Sequence, residues 1–119
     1  MKGEIYLKKP ADFTRIHKQG GYLGSRLVSV KSLPNSLLYS RWAIITSKKL
    51  GKAVIRNRVK RRLREIMREI SLKPGEDMII IARTAAVAAD YQKLKEETRS
   101  LLKRAGMVKV DEINSPAAN

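Results

Sequence analysis

Hydrophobic positions in the first half of the chain change from a helical to an alternating spacing. Behind Pro10, two apolar residues lie three positions apart and a Gly-Gly pair follows, which predicts a short helix over about residues 10–19. Residues 26–33 alternate between apolar and polar side chains and predict a half-buried strand. After a turn signal at residues 34–36, the β-forming residues 42–46 predict a second strand that pairs with the first.

In the second half, from about residue 53, apolar residues recur every three to four positions. They form one stripe, which predicts a long amphipathic helix: Ile55, Val59, Leu63, Ile66, Met67 and Ile70. A Lys-Pro-Gly turn at residues 73–75 ends it, and the near-continuous apolar run 77–83 predicts a strand that is central in a sheet or buried on both sides. Asp90 can then cap a last helix that ends at Gly106.

The order helix, strand, strand, helix, strand, helix predicts an α/β (α+β) two-layer sandwich, in which three helices pack on a small mixed sheet. Residues 40–83 form a strand–helix–strand unit, and the general rule makes such a βαβ crossover right-handed when its strands are parallel. No repeat or linker divides the sequence. We therefore expect a single domain over residues 1–119, with residues 107–119 as a flexible tail.

Composition adds a partner class to this fold. The chain of 119 residues has 26 Lys and Arg against 11 Asp and Glu, a net charge of +15, which favours a polyanion such as nucleic acid. A membrane surface would also attract this charge. However, the first ten residues contain no apolar signal region, and the aliphatic runs at 78–82 and 85–89 are too short to span a bilayer. We expect a cytoplasmic protein with no membrane partner.

Side-chain chemistry is sparse. The absence of cysteine excludes disulfides and thiolate metal sites, and His17 is the only histidine. Most acids fall at the ends of predicted elements or on helix exteriors, so no carboxylate cluster of the two-metal type is evident. The sequence therefore predicts no catalytic residue and no metal ligand, which argues against the enzyme alternative, a stand-alone nuclease.

Basic residues concentrate in and before the long helix. Residues 48–68 contain ten Lys and Arg and one acid, Glu65, a net charge of +9. Projected at about 100° per residue, one edge of the helix mixes both signs, and Arg62 and Glu65 can pair there at i,i+3. The other side, called here the acid-free face, has the following members: Arg56, Asn57, Lys60, Arg61, Arg64 and Arg68.

An unpaired basic stripe about 20 Å long matches several phosphates of a nucleic acid. Its arginines favour forked contacts to phosphate oxygens. Asn57 either contacts a sugar or base edge or caps the first helical turn. The alternative for the whole stripe is a solvated basic face with no ligand.

Residues 47–65, with an Arg-Asn-Arg triplet at 56–58 entering the basic helix, closely resemble the signature of the bacterial ribonuclease P protein family. The resemblance extends more loosely over about residues 7–105. It implies a left-handed βαβ crossover, an exception to the general rule, in a fold like the second domain of a small-subunit ribosomal protein. It also implies contact with the family's catalytic RNA by a set of residues called here the predicted RNA set: Lys48, Lys49, Lys52, Arg56, Asn57, Arg58, Lys60, Arg61, Arg64 and Arg68.

The resemblance further implies a cleft between the first helix and the sheet that holds the 5′ leader of precursor tRNA. Its lining, called here the predicted leader cleft, would be Phe13, His17, Ser29 and Lys31. Positions 17 and 31 are often aromatic in the family, so this chain departs from the pattern at both. Stacking on bases, worth about 1–3 kcal/mol per base, is expected to be partly replaced here by charge.

The implied function is that of the ribonuclease P protein subunit, which assists endonucleolytic removal of the leader to give the mature tRNA 5′ end. The resemblance places catalysis in the RNA, with Mg²⁺ required by the holoenzyme, no cofactor on the protein, and one protein per RNA. Composition alone would equally favour a general basic RNA-binding protein or a ribosomal protein. The ordered spacing of the basic segment is what distinguishes the subunit from that alternative.

Overall fold

The computed structural model describes residues 6–109, which form three α-helices and one four-stranded sheet. The helices are α1 (Pro10–Gln19), α2 (Ala53–Glu69) and α3 (Tyr91–Arg104). The strands are β1 (Gly21–Gly24), β2 (Val28–Pro34), β3 (Arg41–Ile45) and β4 (Glu76–Ala82). Short 3₁₀ turns precede α2 at Lys48–Leu50 and follow β4 at Thr84–Ala86. The predicted α+β class is confirmed.

The helix ends follow the predicted signals. Pro10 occupies the first turn of α1, where its missing N–H costs no hydrogen bond, and the Gly20 N–H donates to the Ile16 carbonyl at 2.8 Å. The Asp90 carboxylate caps α3 by accepting from the Lys93 N–H at 2.8 Å. Within residues 6–109, no helix combines the length and the apolar character needed to cross a membrane.

The strands are ordered β1-β2-β4-β3, so the predicted pairing of β2 with β3 is wrong. β4 lies between them, antiparallel to β2 and parallel to β3. Its apolar run, fully buried at Met78, Ile79 and Ile80, gains more from a position covered on both faces than from an edge. The predicted βαβ unit is therefore β3–α2–β4, and its left hand remains a prediction.

β1 was not predicted, because its four residues include two glycines and give too short an alternation to recognise. The Gly-Gly pair assigned only as a helix stop also begins this edge strand, with Gly21 opposite Ser32 of β2. Pairing with β2, rather than local propensity, specifies the strand.

The two faces of the sheet are covered unequally. α2 and α3 pack over one face through the main core, which includes Leu63, Ile66, Ile80 and Leu101. Among the described residues, the opposite face is covered by the short helix α1 and by Leu7 before it, through a small cluster of Ile16, Leu7 and Ile79. Part of that second face is left beside α1 as the floor of a groove.

The start of the predicted tail is packed. Met107 and Val108 are buried, and Val108 bridges to Leu72 in the loop after α2. The Lys73 N–H donates to the Met107 carbonyl at 2.7 Å. Residues 107–109 thus belong to the folded unit, and the remainder of the predicted tail, 110–119, lies outside the described residues.

Candidate nucleic-acid interface

The loop between β3 and α2 places lysines beside the start of the basic helix. Leu50 is buried and anchors the 3₁₀ turn, which leaves Lys48 and Lys49 exposed. Gly51 then adopts φ of 131°, a conformation that side chains disfavour, and a Cβ here would lie 3.1 Å from the Ile55 side chain. The turn therefore needs glycine to bring both lysines to the N-terminal end of α2.

The predicted RNA set is brought together on α2 and its leading turn. Eight of its ten members are exposed: Lys48, Lys49, Lys52, Asn57, Arg58, Arg61, Arg64 and Arg68. The other two, Arg56 and Lys60, are half-buried. Within residues 6–109, no cation of this set lies within 4.0 Å of a carboxylate oxygen. No carboxylate among the described residues pairs with these cations, an arrangement that suits contact with phosphates.

On the mixed-sign edge of α2, the predicted Arg62–Glu65 pair does not form. Arg62 Nη1 points to the Ala89 carbonyl at 3.5 Å, and the Glu69 carboxylate accepts from Lys95 Nζ of α3 at 2.7 Å. α3 and the segment before it lie along this edge and supply these partners, which are far away in sequence and which a single-helix projection omits. The acids of α2 are thereby separated from its acid-free face.

Asn57 lies in the second turn of α2, whose N-cap position is Lys52. The capping interpretation of Asn57 is therefore wrong, because a cap must precede the first turn. Its exposed side chain remains free for a sugar or base edge. At the other end of the helix, Arg68 Nη2 donates to the Tyr6 hydroxyl at 3.3 Å.

In the predicted leader cleft, the side chains of His17 and Lys31 contact each other. Lys31 Nζ of β2 lies 3.0 Å from His17 Nδ1 of α1. An ammonium can only donate, so Nδ1 accepts and the imidazole carries its proton on Nε2. Phe13, one turn earlier on α1, is half-buried and packs against the small cluster under the helix. The structure thus brings His17 and Lys31 into contact, with Phe13 one helical turn away on α1. That these side chains line a leader cleft stays a prediction.

Ser29 is the exception among the predicted cleft residues. Its side chain is only 4% exposed, since it is short and lies in an interior strand between Gly24 and Ile81. In this structure Ser29 contributes to the floor of the groove and is not available for direct contact with RNA.

A pocket of about 410 Å³ joins the two predicted binding regions. Phe13 of α1 and Ile44 of β3 contribute apolar walls, and Arg64 and Arg68 of α2 form a cationic rim. A nucleotide could match both parts of this pocket, since its base has an apolar face and its phosphate is anionic. Phe13 of the predicted leader cleft and two cations of the acid-free face therefore line one pocket.

Sequence reasoning missed the ion cluster that holds α1 over the sheet. The Asp77 carboxylate, fully buried at the start of β4, accepts hydrogen bonds from Arg15 Nη2 at 2.8 Å and Asn35 Nδ2 at 2.8 Å. Arg41 binds it with two nitrogens, Nε at 2.9 Å and Nη2 at 2.6 Å. Because Arg15 belongs to α1, this cluster helps to set the position of one wall of the predicted leader cleft.

The cluster keeps its charges. Burial alone would raise the pKa of Asp77, but hydrogen bonds from Arg41, Asn35 and Arg15 outweigh it and hold that pKa below its usual range. The same hydrogen bond with Asp77 raises the pKa of Arg41. An acid near the start of an apolar strand was the only sequence signal for this site.

Two further side chains on the groove face were also missed, Tyr22 of β1 and Arg83 after β4. Tyr22 is 60% exposed and lies directly opposite Lys31 in the β1–β2 pair. Arg83 Nη1 donates to the Ser25 carbonyl at 3.1 Å. A lone aromatic between glycines, alternating with the inward Leu23, was the available signal for Tyr22.

In the part of the chain that the structure describes, no three His, Asp or Glu side chains come together in a way that could hold a metal ion. The site is instead a cationic helix face joined to a groove with aromatic and basic walls. Such an arrangement suits binding of phosphates and unpaired bases.

Comparisons with known proteins agree with this geometry. A family model described as Ribonuclease P matches residues 1–106. The ribonuclease P protein component of Caldanaerobacter subterraneus subsp. tengcongensis is 39% identical over 100 residues, covering 82% of this chain and 86% of that protein. Among solved structures, a Staphylococcus aureus RNase P protein mutant with defective mRNA degradation activity superimposes with a TM-score of 0.84 at 34% identity, covering 90% of this chain and 92% of that one. The RNase P protein from Thermotoga maritima gives 0.76 at 34% identity, with 83% and 96% covered. This chain therefore belongs to the ribonuclease P protein family.

Proposed function

We propose that this chain is the protein subunit of a bacterial ribonuclease P and assists removal of the 5′ leader from precursor tRNA. The acid-free face of α2 and the lysines before it bind the catalytic RNA, and the groove between α1 and the sheet binds the leader. The observation that supports this division most directly is the row of α2 cations with no carboxylate within reach in residues 6–109.

The physical role of the protein is electrostatic. Bringing a precursor tRNA to a catalytic RNA places two polyanions side by side, and unpaired cations between them lower the repulsion. The hydrolysis itself is assigned to Mg²⁺ ions held by the RNA, which activate water and stabilise the leaving oxygen. The protein supplies no catalytic group in this proposal and acts as one copy per RNA.

Reconstitution tests this function. Purified protein alone should cleave no precursor tRNA, whereas with its cognate RNA it should lower the Mg²⁺ concentration needed for cleavage. Substrate affinity should rise with leader length until the groove is filled. Cleavage by RNA-free protein would contradict the assignment of catalysis to the RNA. Substrate affinity that does not depend on leader length would contradict binding of the leader in the groove.

Co-purification separates this function from that of a general basic RNA-binding protein or a ribosomal protein. A tagged chain expressed in its own host should recover one RNA of a few hundred nucleotides. Recovery of ribosomes instead would contradict the subunit assignment.

A further inference from the structure

The edge strand β1 presents an aromatic ring to the predicted leader cleft. Tyr22 lies directly opposite Lys31, and opposed residues of an antiparallel pair point to the same face of the sheet. That face is the one under α1, because Lys31 Nζ contacts His17 Nδ1 at 3.0 Å. His17, Lys31 and Tyr22 therefore form one row across the groove, from α1 through β2 to β1.

The backbone beside Tyr22 is shaped to receive its ring. Gly24 follows two positions later on the same face, and a Cβ there would lie 2.9 Å from the Tyr22 hydroxyl oxygen. The same position is 3.5 Å from Arg83 Nη1. The absence of a side chain at Gly24 lets the tyrosine extend along the sheet toward a guanidinium, with the ring 60% exposed.

We propose that Tyr22 is the stacking platform for an unpaired base of the leader, while His17 and Lys31 bind an adjacent phosphate. The inference rests on the proposed leader function and deepens it. His17 and Lys31 form a hydrogen-bonded polar pair under α1, and the exposed ring of Tyr22 lies one strand further out. The ring is thus at the edge of the sheet, next to a cationic pair.

The chemistry of the row fits a nucleotide. A tyrosine ring stacks on any base, because every base has a π-face. Lys31 provides an ammonium, and His17 with its proton on Nε2 provides an N–H donor, so both can contact phosphate oxygens. Arg83 at the far end of the ring adds a further positive charge. The ligand class is single-stranded RNA with little sequence preference.

Tyr39 offers a matched control. It is the other exposed tyrosine in residues 6–109, and it lies in the β2–β3 loop beside Trp42 and Met67, on the side of α2. Tyr22→Ala, Tyr22→Phe and Tyr39→Ala are each assembled with the cognate RNA, and the Kd of precursor tRNA is measured with a long and a one-nucleotide leader. Circular dichroism and thermal unfolding verify that each variant is folded.

Tyr22→Ala should weaken binding of the long-leader substrate by about 5-fold to 150-fold, the range for loss of one stacked base. Tyr22→Phe keeps the ring and should retain wild-type affinity, as should Tyr39→Ala. With the one-nucleotide leader, Tyr22→Ala should have no effect. Abasic nucleotides placed one at a time along the leader should lower the affinity of the wild-type protein at one position. For the substrate that is abasic at that position, Tyr22→Ala should cause no further loss of affinity.

Gly24→Ala gives an independent test of the ring position. The added Cβ displaces the end of the tyrosine ring, so the variant should lose part of the affinity that Tyr22→Ala loses. In a Tyr22→Ala background, Gly24→Ala should have no further effect. Additive losses would overturn the stacking geometry.

The same measurements distinguish failure of the Tyr22 proposal from failure of the leader-binding function on which it rests. If wild-type affinity depends on leader length but Tyr22→Ala binds as well as wild type, the leader function stands and Tyr22 is not its platform. If leader length has no effect on the wild-type protein, the leader function fails and the platform fails with it.

Discussion

Two groups of arginines in this chain differ in what neutralises them. Arg15 and Arg41 converge on the buried carboxylate of Asp77, at 2.8 Å and 2.6 Å from its Oδ2. The arginines on the acid-free face of α2 are mostly exposed and have no carboxylate within 4.0 Å in residues 6–109. The first group holds α1 against the sheet, and the second is left for a ligand.

This difference shows why the net charge of the chain does not give the number of cations that are available to a ligand. Arg15 and Arg41 count toward the charge of +15 but are committed to the fold. An arginine is available to RNA only where the fold keeps acids away from it. In α2 this is achieved by turning the acid-bearing edge toward α3, where Glu69 meets Lys95. Removing the acid from the first group, or single cations from the second, tests whether the two groups have these different roles.

The largest effect is expected from Asp77→Asn, which removes the buried carboxylate from Arg15 and Arg41 and leaves them with the more distant carboxylate of Asp12, at 3.5 Å and 3.7 Å. Removing one partner of a buried ion pair costs about 3–5 kcal/mol, and we expect about 3 kcal/mol because both arginines are partly exposed and can regain water. Urea denaturation measures the loss. Glu65→Gln is the control, since this exposed acid should change stability by less than about 0.5 kcal/mol. Equal effects of the two would mean that the cluster does not stabilise the fold.

The same carboxylate predicts acid sensitivity. Because the folded-state pKa of Asp77 is lowered, its contribution is complete above the unfolded-state value of about 3.9 and is lost as pH falls from there through the folded-state pKa. The free energy of unfolding should therefore drop steeply below about pH 4 in the wild type. Asp77→Asn should show a shallower decline. Parallel curves for the two proteins would exclude Asp77 as the group responsible.

A smaller effect is expected when cations are removed from the acid-free face. Arg61→Ala or Arg64→Ala should reduce the slope of log affinity for RNA against log salt by about 0.7–0.9, the value for one phosphate. Stability should change by less than about 0.5 kcal/mol, since neither side chain has an ion-pair partner among the described residues.

Arg62→Ala is the matched control in the same helix. Its guanidinium faces the Ala89 carbonyl on the side of α3, so the salt slope should stay at the wild-type value. A slope lowered by Arg62→Ala but not by Arg61→Ala or Arg64→Ala would move the RNA interface to the other side of α2.

The sequence predicted α2 and its acid-free face because both depend on local periodicity. In a helix of 17 residues, apolar positions recur often enough to show which side faces the core. The cations on the opposite side can then be identified from the same periodicity. The cap of α3 at Asp90 was predictable for the same reason. What is encoded within one helix can be found without knowing the partners of that helix.

The sheet order and the Asp77 cluster could not be predicted in this way. Arg15 and Asp77 are 62 positions apart, and only the docking of α1 on β4 brings them together. The same applies to the placement of β4 between β2 and β3, which alternation within a single strand does not specify. His17 and Lys31 were each predicted to line the groove, but their mutual contact depends on the α1–β2 distance.

The smallest effect on stability is expected at the Lys95–Glu69 pair. This pair tests whether an ion pair stabilises the fold without being buried. The two atoms are 2.7 Å apart, as close as those of the Asp77 cluster, but the side chains are 28% and 51% exposed. Water competes for both charges, and such surface pairs contribute about 0–1 kcal/mol. Lys95→Ala should therefore lower the free energy of unfolding by less than about 1 kcal/mol, and added salt should abolish the difference. A loss as large as that of Asp77→Asn would show that burial is not what separates the structural arginines from the rest.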